Sequence, residues 1–256
     1  MVPLMTRAHL ELLAQVAFSR TLLAFDYDGT LAPIVSNRDE ARVRPETLMR
    51  LKQVCELYPC AVISGRTRRD LMKRLGAAKL KYVLGNYGFE LDAQGSAFER
   101  PVAEVLPHLK RALAGIPGLE IEDKRLSIAI HYRRNRRKRE ARSAIARAAL
   151  GLPVQMRSIP GKMVVNLVPA QAPSKGDALL DLRARAEADV ALYVGDDLSD
   201  EDVFCLDAPG QVLGVRVGKS ARTSALYYLR DQLELDVLLQ TLIELRGSKQ
   251  TLIAAR

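Results

Sequence analysis

TLLAFDYDGT (residues 21–30) decides how the rest of this sequence is read. Its first five residues are a short apolar, β-rich run bounded by turn formers, as expected of a strand buried on both faces. Two carboxylates two residues apart, Asp26 and Asp28, stand where the strand ends. While the chain stays extended, period two puts both side chains on one side. Gly29 and Thr30 follow, where a sharp turn exposes backbone N–H groups.

Outward from that stretch, strands and helices alternate. Pro45 starts a helix with apolar positions Leu48, Leu51, Val54 and Leu57. CAVI (60–63) is a second strand ending at SGR. Thr67 caps the next helix, which runs to Leu75 with Asp70 three residues on. YVLG (82–85), DVALYVG (189–195) and QVLGVRVG (211–218) are further strands. Helices are expected over about 175–187, 200–206 and 234–246. Such alternation implies βαβ units and a parallel sheet covered on both faces, an α/β Rossmann-like core.

The middle of the chain differs. A helix (104–114), two strands (119–123 and 126–132), a basic helix (135–149) and two more strands (153–158 and 163–168) are expected in turn. In LSIAIHY, Ile128, Ile130 and Tyr132 share one face, which suits a sheet with one side toward water. An α+β module over 101–169 is therefore expected, inserted into a core of 1–100 and 170–256. Pro101, Pro169 and Pro173 punctuate the joins.

In a parallel sheet, ligands collect beyond the carboxyl ends of the strands. Asp196 and Asp197 follow the 189–195 strand, then Asp200, Glu201 and Asp202. If that strand neighbours the first, two acidic groups converge and need a cation; hard oxygen donors with room for water select Mg²⁺. Ser64, after the second strand, offers a hydroxyl to a phosphate oxygen. Lys175 opens a helix, where an ammonium adds to the positive helix end and marks an anion site. A carboxylate nucleophile, a second carboxylate to move protons, a divalent cation, a hydroxyl and a lysine are what phosphoryl transfer to an aspartate requires.

Composition narrows the classes. Of 256 residues, 48% are hydrophobic and 27% charged, ordinary for a globular protein. Aromatics are 5% with no Trp, which argues against nucleic-acid binding by base stacking. No apolar run is long enough to cross a bilayer, and the first twenty residues read as an amphipathic helix. Cys55, Cys60 and Cys205 show no CxxC spacing, so a disulfide framework and a zinc site are not expected, and a reducing compartment fits. The net charge of +9 is local: eight basic side chains face the single Glu140 between Arg133 and Arg147. That run reads as a solvated helix face, as a polyanion patch, or as a field drawing an anionic substrate to a pocket.

The ordered set of DxDGT, Ser, Lys and GDD resembles the haloacid-dehalogenase-type phosphatase superfamily. FDYDGTLAPI, VISGR, GNYGFEL, HYR, SKGDALL, YVGDDLSDEDVF and VGKSARTSALYYL extend the likeness to the trehalose-6-phosphate phosphatase family over about 21–240. The resemblance implies that Asp26 is the nucleophile. It implies that Asp28 is general acid and then base, and that Asp26, the Asp28 carbonyl and Asp196 hold Mg²⁺. Asp197 and Asp200 would support that shell, and Ser64 and Lys175 would grip the phosphate. Thr30 and Arg66 match motif positions as further substrate-binding residues. The inserted module resembles the family's mobile cap, whose sugar-binding positions match Glu122, Lys124, Arg133 and Asn166. The family usually has Glu at position 166, Arg at 168 and His at 87, where this chain has Asn166, Val168 and Tyr87.

The expected function is therefore Mg²⁺-dependent hydrolysis of trehalose 6-phosphate in the cytoplasm, with a small-molecule sugar phosphate as partner and neither nucleic acid nor membrane; the oligomeric state is left open, with a monomer favoured. Asn166 favours a second reading, a phosphatase of another sugar phosphate, because exchanging a donor or acceptor in a sugar site shifts preference strongly. A third, a non-enzymatic polyanion-binding module using the basic helix, leaves the ordered carboxylates unexplained.

Overall fold

The computed structural model describes residues 1–35, 38–76, 78–91 and 97–254. Strands are β1 (Val2–Pro3), β2 (Thr21–Phe25), β3 (Cys60–Ile63), β4 (Tyr82–Leu84), β5 (Glu120–Asp123), β6 (Ile128–His131), β7 (Met156–Gly161), β8 (Val164–Pro169), β9 (Val190–Gly195), β10 (Val212–Val217) and β11 (Tyr227–Leu229). Helices are α1 (Leu10–Phe18), α2 (Pro45–Leu57), α3 (Arg68–Leu75), α4 (Glu99–Ala112), α5 (Lys138–Leu150), α6 (Lys175–Arg185), α7 (Glu201–Phe204) and α8 (Gln232–Ala254). They divide into two compact units, Met1–Gly88 with Ser174–Arg256, and Phe89–Pro173.

The first unit is built on a parallel seven-stranded sheet in the order β1-β11-β10-β9-β2-β3-β4. All five residues of β2 are buried, as a strand covered on both faces requires. Leu23, Phe25, Val62, Leu192, Val194 and Val215 pack into one core with Leu13, Leu51, Val54 and the α8 residues Leu235, Leu238, Leu239 and Leu242. Strand order reverses beside β2: the chain leaves β2 toward β3 and β4, then returns to build β9, β10 and β11 on the other side. Such a switch point opens a crevice past the strand ends.

Local chemistry sets the helix starts. Pro45 occupies the first turn of α2, where its missing N–H costs nothing. Ser174 and Asp177 form a reciprocal capping box at the start of α6, at 3.1 and 2.9 Å. Thr67 accepts the Asp70 N–H at 3.2 Å as the α3 cap, but the Asp70 carboxylate turns to two arginines instead of completing a box.

The second unit pairs an antiparallel sheet, β5-β6-β8-β7, with α4 and α5. Ile128, Ile130 and Tyr132 do share a buried face, packed with Val105, Leu109, Ile145 and Leu167. Several boundaries differ from the sequence expectation, among them the start of α4, at Glu99 instead of about 104. The unit begins at Phe89, and Pro101 lies inside the first turn of α4, a position that tolerates proline, so it marks no join. Helix α5 starts at Lys138 because Asn135 makes a side-chain turn, accepting from the Arg137 N–H and donating to the Pro117 carbonyl, each at 2.7 Å. Strand β7 begins at Met156 and carries Pro160, which its edge position allows. The three-residue β11 and two-residue β1 are too short to show a period.

Candidate active site

Asp26 is the first residue past β2, and Asp196 the first past β9. Their strands are neighbours, with Phe25 opposite Val194, and the Asp26 N–H donates to the Val194 carbonyl at 2.9 Å. The adjacency expected of the two acidic groups is therefore present. Carboxylate oxygens of Asp26, Asp196 and Asp200 all lie within 4.8 Å of one another, and all three residues are buried.

Lys175, at the first position of α6, reaches into this cluster. Its Nζ donates to Asp26 Oδ1 at 2.9 Å and to Asp200 Oδ1 at 2.7 Å, with its side chain 1% exposed. Burial works against the ammonium, but Asp200 and Asp26 outweigh it and hold its proton well above the ordinary lysine range. Burial is also the largest influence on Asp26, pushing its carboxyl well above the usual carboxylate range; Lys175 pulls it back, while Asp200 and Asp196 push it further up. With all three buried carboxylates ionised, one ammonium leaves an excess of two negative charges, which a divalent cation would neutralise. The all-oxygen donor set fits a hard ion such as Mg²⁺.

Asp200 organises the loop after β9. Its Oδ1 accepts from Lys175 and, at 2.6 Å, from the Tyr193 hydroxyl; its Oδ2 accepts the Asp196 and Asp197 N–H groups, both at 2.8 Å. With both oxygens so occupied, Asp200 braces the turn. Arg216 adds a hydrogen bond to the Asp196 carbonyl. Two glycines make room: a Cβ on Gly195 would lie 2.3 Å from Asp200 Cγ, and one on Gly29 would lie 2.2 Å from Asp196 Oδ2. Gly29 also has φ +91°, which side-chain-bearing residues rarely adopt.

Asp28 points to a different partner. Arg66 clasps it with both arms of its guanidinium, Nε to Oδ2 at 2.6 Å and Nη2 to Oδ1 at 2.7 Å. Arg66 Nη1 donates to Asp70 Oδ2 at 2.7 Å, and Arg74 Nε to Asp70 Oδ1 at 2.9 Å. Arg66, expected to bind substrate, directs these donors to the Asp28 and Asp70 carboxylates. Ser64, at the end of β3, is 2% exposed, and its Oγ accepts the Arg66 N–H at 3.4 Å. Thr30 is fully buried, with no hydrogen-bond partner for its hydroxyl among the described residues.

The remaining expected residues lie in the second unit. Glu122, Ala129, Asn166 and Ile159 are cross-strand partners in one row, so Glu122 and Asn166 share a sheet face. Glu122 Oε2 meets His131 Nε2 at 3.0 Å, and Lys124 Nζ donates to Asn166 Oδ1 at 3.5 Å. Arg133 lies beyond the end of β6, exposed, its Nη2 3.5 Å from the Lys162 carbonyl. Sequence reading passed over Tyr193, Arg216 and Arg74. The first two are ordinary strand residues in any pattern, and only Asp70, as a cap partner, carried a local signal.

A family model described as trehalose-phosphatase matches residues 24–232. A trehalose-phosphate phosphatase of Mycolicibacterium paratuberculosis is 35% identical over 207 residues, covering 75% of this chain and 53% of that one. The chain thus spans about half the length of the curated relatives it matches. Among solved structures, the C-terminal domain of a C. albicans trehalose-6-phosphate phosphatase shares the fold with TM-score 0.74 at 23% identity, covering 96% of this chain and 98% of that one. An Aspergillus fumigatus trehalose-6-phosphate phosphatase is similar with TM-score 0.63 at 26% identity, covering 95% of this chain and all of the other. No helix among the described residues is long and apolar enough to cross a membrane.

Proposed function

The chain belongs to the trehalose-phosphatase family, and from that premise we propose that it hydrolyses trehalose 6-phosphate to trehalose and inorganic phosphate through an aspartyl-phosphate on Asp26. The observation that carries this reading is the buried set of Asp26, Asp196, Asp200 and Lys175 at the switch point of the sheet. Asp26, Asp196 and the Asp28 carbonyl would hold Mg²⁺, which offsets the repulsion between carboxylate and phosphate when bound.

In the first step an Asp26 oxygen attacks phosphorus as the bond from phosphorus to the sugar oxygen breaks. Asp28 gives that oxygen its proton. In the second step water attacks, Asp28 takes its proton, and phosphate leaves with Asp26 restored. The bidentate Arg66 pair fixes where the Asp28 carboxyl group points. Lys175 and Ser64 hold phosphoryl oxygens, and Asp197 and Asp200 shape the loop that presents Asp196. Segment 89–173 acts as a cap, with Glu122, Lys124, Asn166 and Arg133 contacting the sugar; closure excludes water from the first step.

Phosphate release from a panel of sugar phosphates, with Mg²⁺ and after chelation, tests the reading. Trehalose 6-phosphate should be the fastest substrate and chelation should stop turnover. Asp26→Asn should abolish turnover and keep the folded state, because an amide of equal size replaces the nucleophile. A preference for another sugar phosphate would favour the second reading. Its supporting observation is that the buried Lys124 faces the neutral Asn166 amide.

A further inference from the structure

The 3₁₀ turn Asn86–Gly88, just past β4, is built in a costly way. Its three residues have φ of 47°, 64° and 111°, so two side-chain-bearing residues in succession adopt left-handed backbone. For a bulky aromatic such as Tyr87 this is uncommon, and surrounding structure must enforce it. The turn is bound to the Ser64–Arg66 segment: the Asn86 N–H donates to the Arg66 carbonyl and the Tyr87 N–H to the Ser64 carbonyl, each at 2.8 Å. Gly65 leaves space for the ring, since a Cβ there would lie 2.6 Å from Tyr87 Cζ and 2.8 Å from its hydroxyl oxygen. Gly88 lets α6 close in, since a Cβ on it would lie 2.5 Å from Ala178 Cβ.

These features press the Tyr87 ring onto the turn that carries Ser64, on the side of the helix that begins with Lys175. The residue is 7% exposed. The charges bearing on it are those of the candidate site: Lys175, Asp197, Asp26 and Asp28. Burial, the largest influence, pushes its proton loss well above the ordinary tyrosine value, so the group is a neutral donor throughout the working range. A phosphoryl group has acceptor oxygens to spare for such a donor.

We propose that Tyr87 is a further substrate-contacting residue whose phenolic hydroxyl donates a hydrogen bond to the phosphoryl group; this rests on the phosphatase reading. Tyr87→Phe deletes the hydroxyl alone. Titration calorimetry of inorganic phosphate into the Mg²⁺-loaded full chain and into the variant is the test. Loss of one hydrogen bond to a charged acceptor should weaken phosphate binding about tenfold or more. The unfolding temperature should change little, because the ring and its packing are kept. Affinities within about twofold of each other, no phosphate binding by the unaltered chain, or a clear drop in unfolding temperature would each overturn the proposal. Turnover of sugar phosphates by the unaltered chain reports separately. A chain that binds phosphate but hydrolyses none removes the phosphatase reading and leaves the affinity comparison to decide on Tyr87.

Discussion

Asp200→Asn removes no volume and one charge, yet it should be among the most damaging substitutions in the chain. The Asp200 carboxylate accepts two donors at each oxygen: Lys175 and the Tyr193 hydroxyl at one, the Asp196 and Asp197 N–H groups at the other. An amide has a single acceptor oxygen. Whichever way it flips, its NH₂ faces two donors, and two good hydrogen bonds become donor–donor contacts. One flip leaves Lys175 with only one of its two carboxylate partners, Asp26, and turns an amide donor toward it; the other releases the loop that presents Asp196. Removing one partner of a buried, hydrogen-bonded ion pair costs about 3–5 kcal/mol. At about 2–4 °C per kcal/mol for a domain of this size, the unfolding temperature should fall by roughly 6–20 °C. Differential scanning calorimetry in low salt, with circular dichroism to confirm the folded state, reads this directly. Phosphate release should fall in parallel. A drop smaller than about 3 °C, with activity kept, would show that Asp200 does not brace the loop and would refute the reasoning.

Two further outcomes follow from single contacts. Gly29→Ala should lower turnover by about a hundredfold, the usual effect of an ångström-scale misplacement, because the new Cβ would meet Asp196 Oδ2 at 2.2 Å on a backbone with φ +91°; steady-state assays across Mg²⁺ concentrations check it, and near-normal activity would mean the loop yields. Burial alone would raise the Asp70 carboxyl, but hydrogen bonds from Arg74 and Arg66 outweigh it and hold it below its ordinary 3.8. Its contribution to stability is therefore complete above pH 3.8 and is lost as pH falls through the lowered value. Denaturant melts from pH 7 to pH 2 should show Asp70→Asn less stable at neutral pH and converging on the unaltered chain in acid; parallel curves would count against the pairing.

Much of the sheet was legible because its signal is local. TLLAF, CAVI and YVLG are short apolar runs with turn formers behind them, and a buried parallel strand needs little else. The order of DxDGT, Ser, Lys and GDD then marked which loops carry chemistry. Pairings between distant residues were illegible. Nothing near Tyr193 says that its hydroxyl ends on Asp200, and nothing in SGR says that Arg66 clasps Asp28, because register and side-chain direction settle both. Pro101 misled for a related reason: proline breaks a helix interior but suits a first turn, and the sequence does not say which turn it occupies. Asn135 hid the start of α5 because a side-chain turn looks like one more polar residue in a basic run.

The neighbouring strands β2 and β9 are separated by most of the chain. During synthesis the aspartate of the first exists long before Lys175 and the acidic loop of the second have been made. Closing so wide a loop is slow, and sheets assembled from remote segments fold late. A growing polypeptide would therefore carry Asp26, the proposed nucleophile, as an inert carboxylate. Reactivity would arrive in one event, when the final third of the chain slots in beside the first strand of the motif.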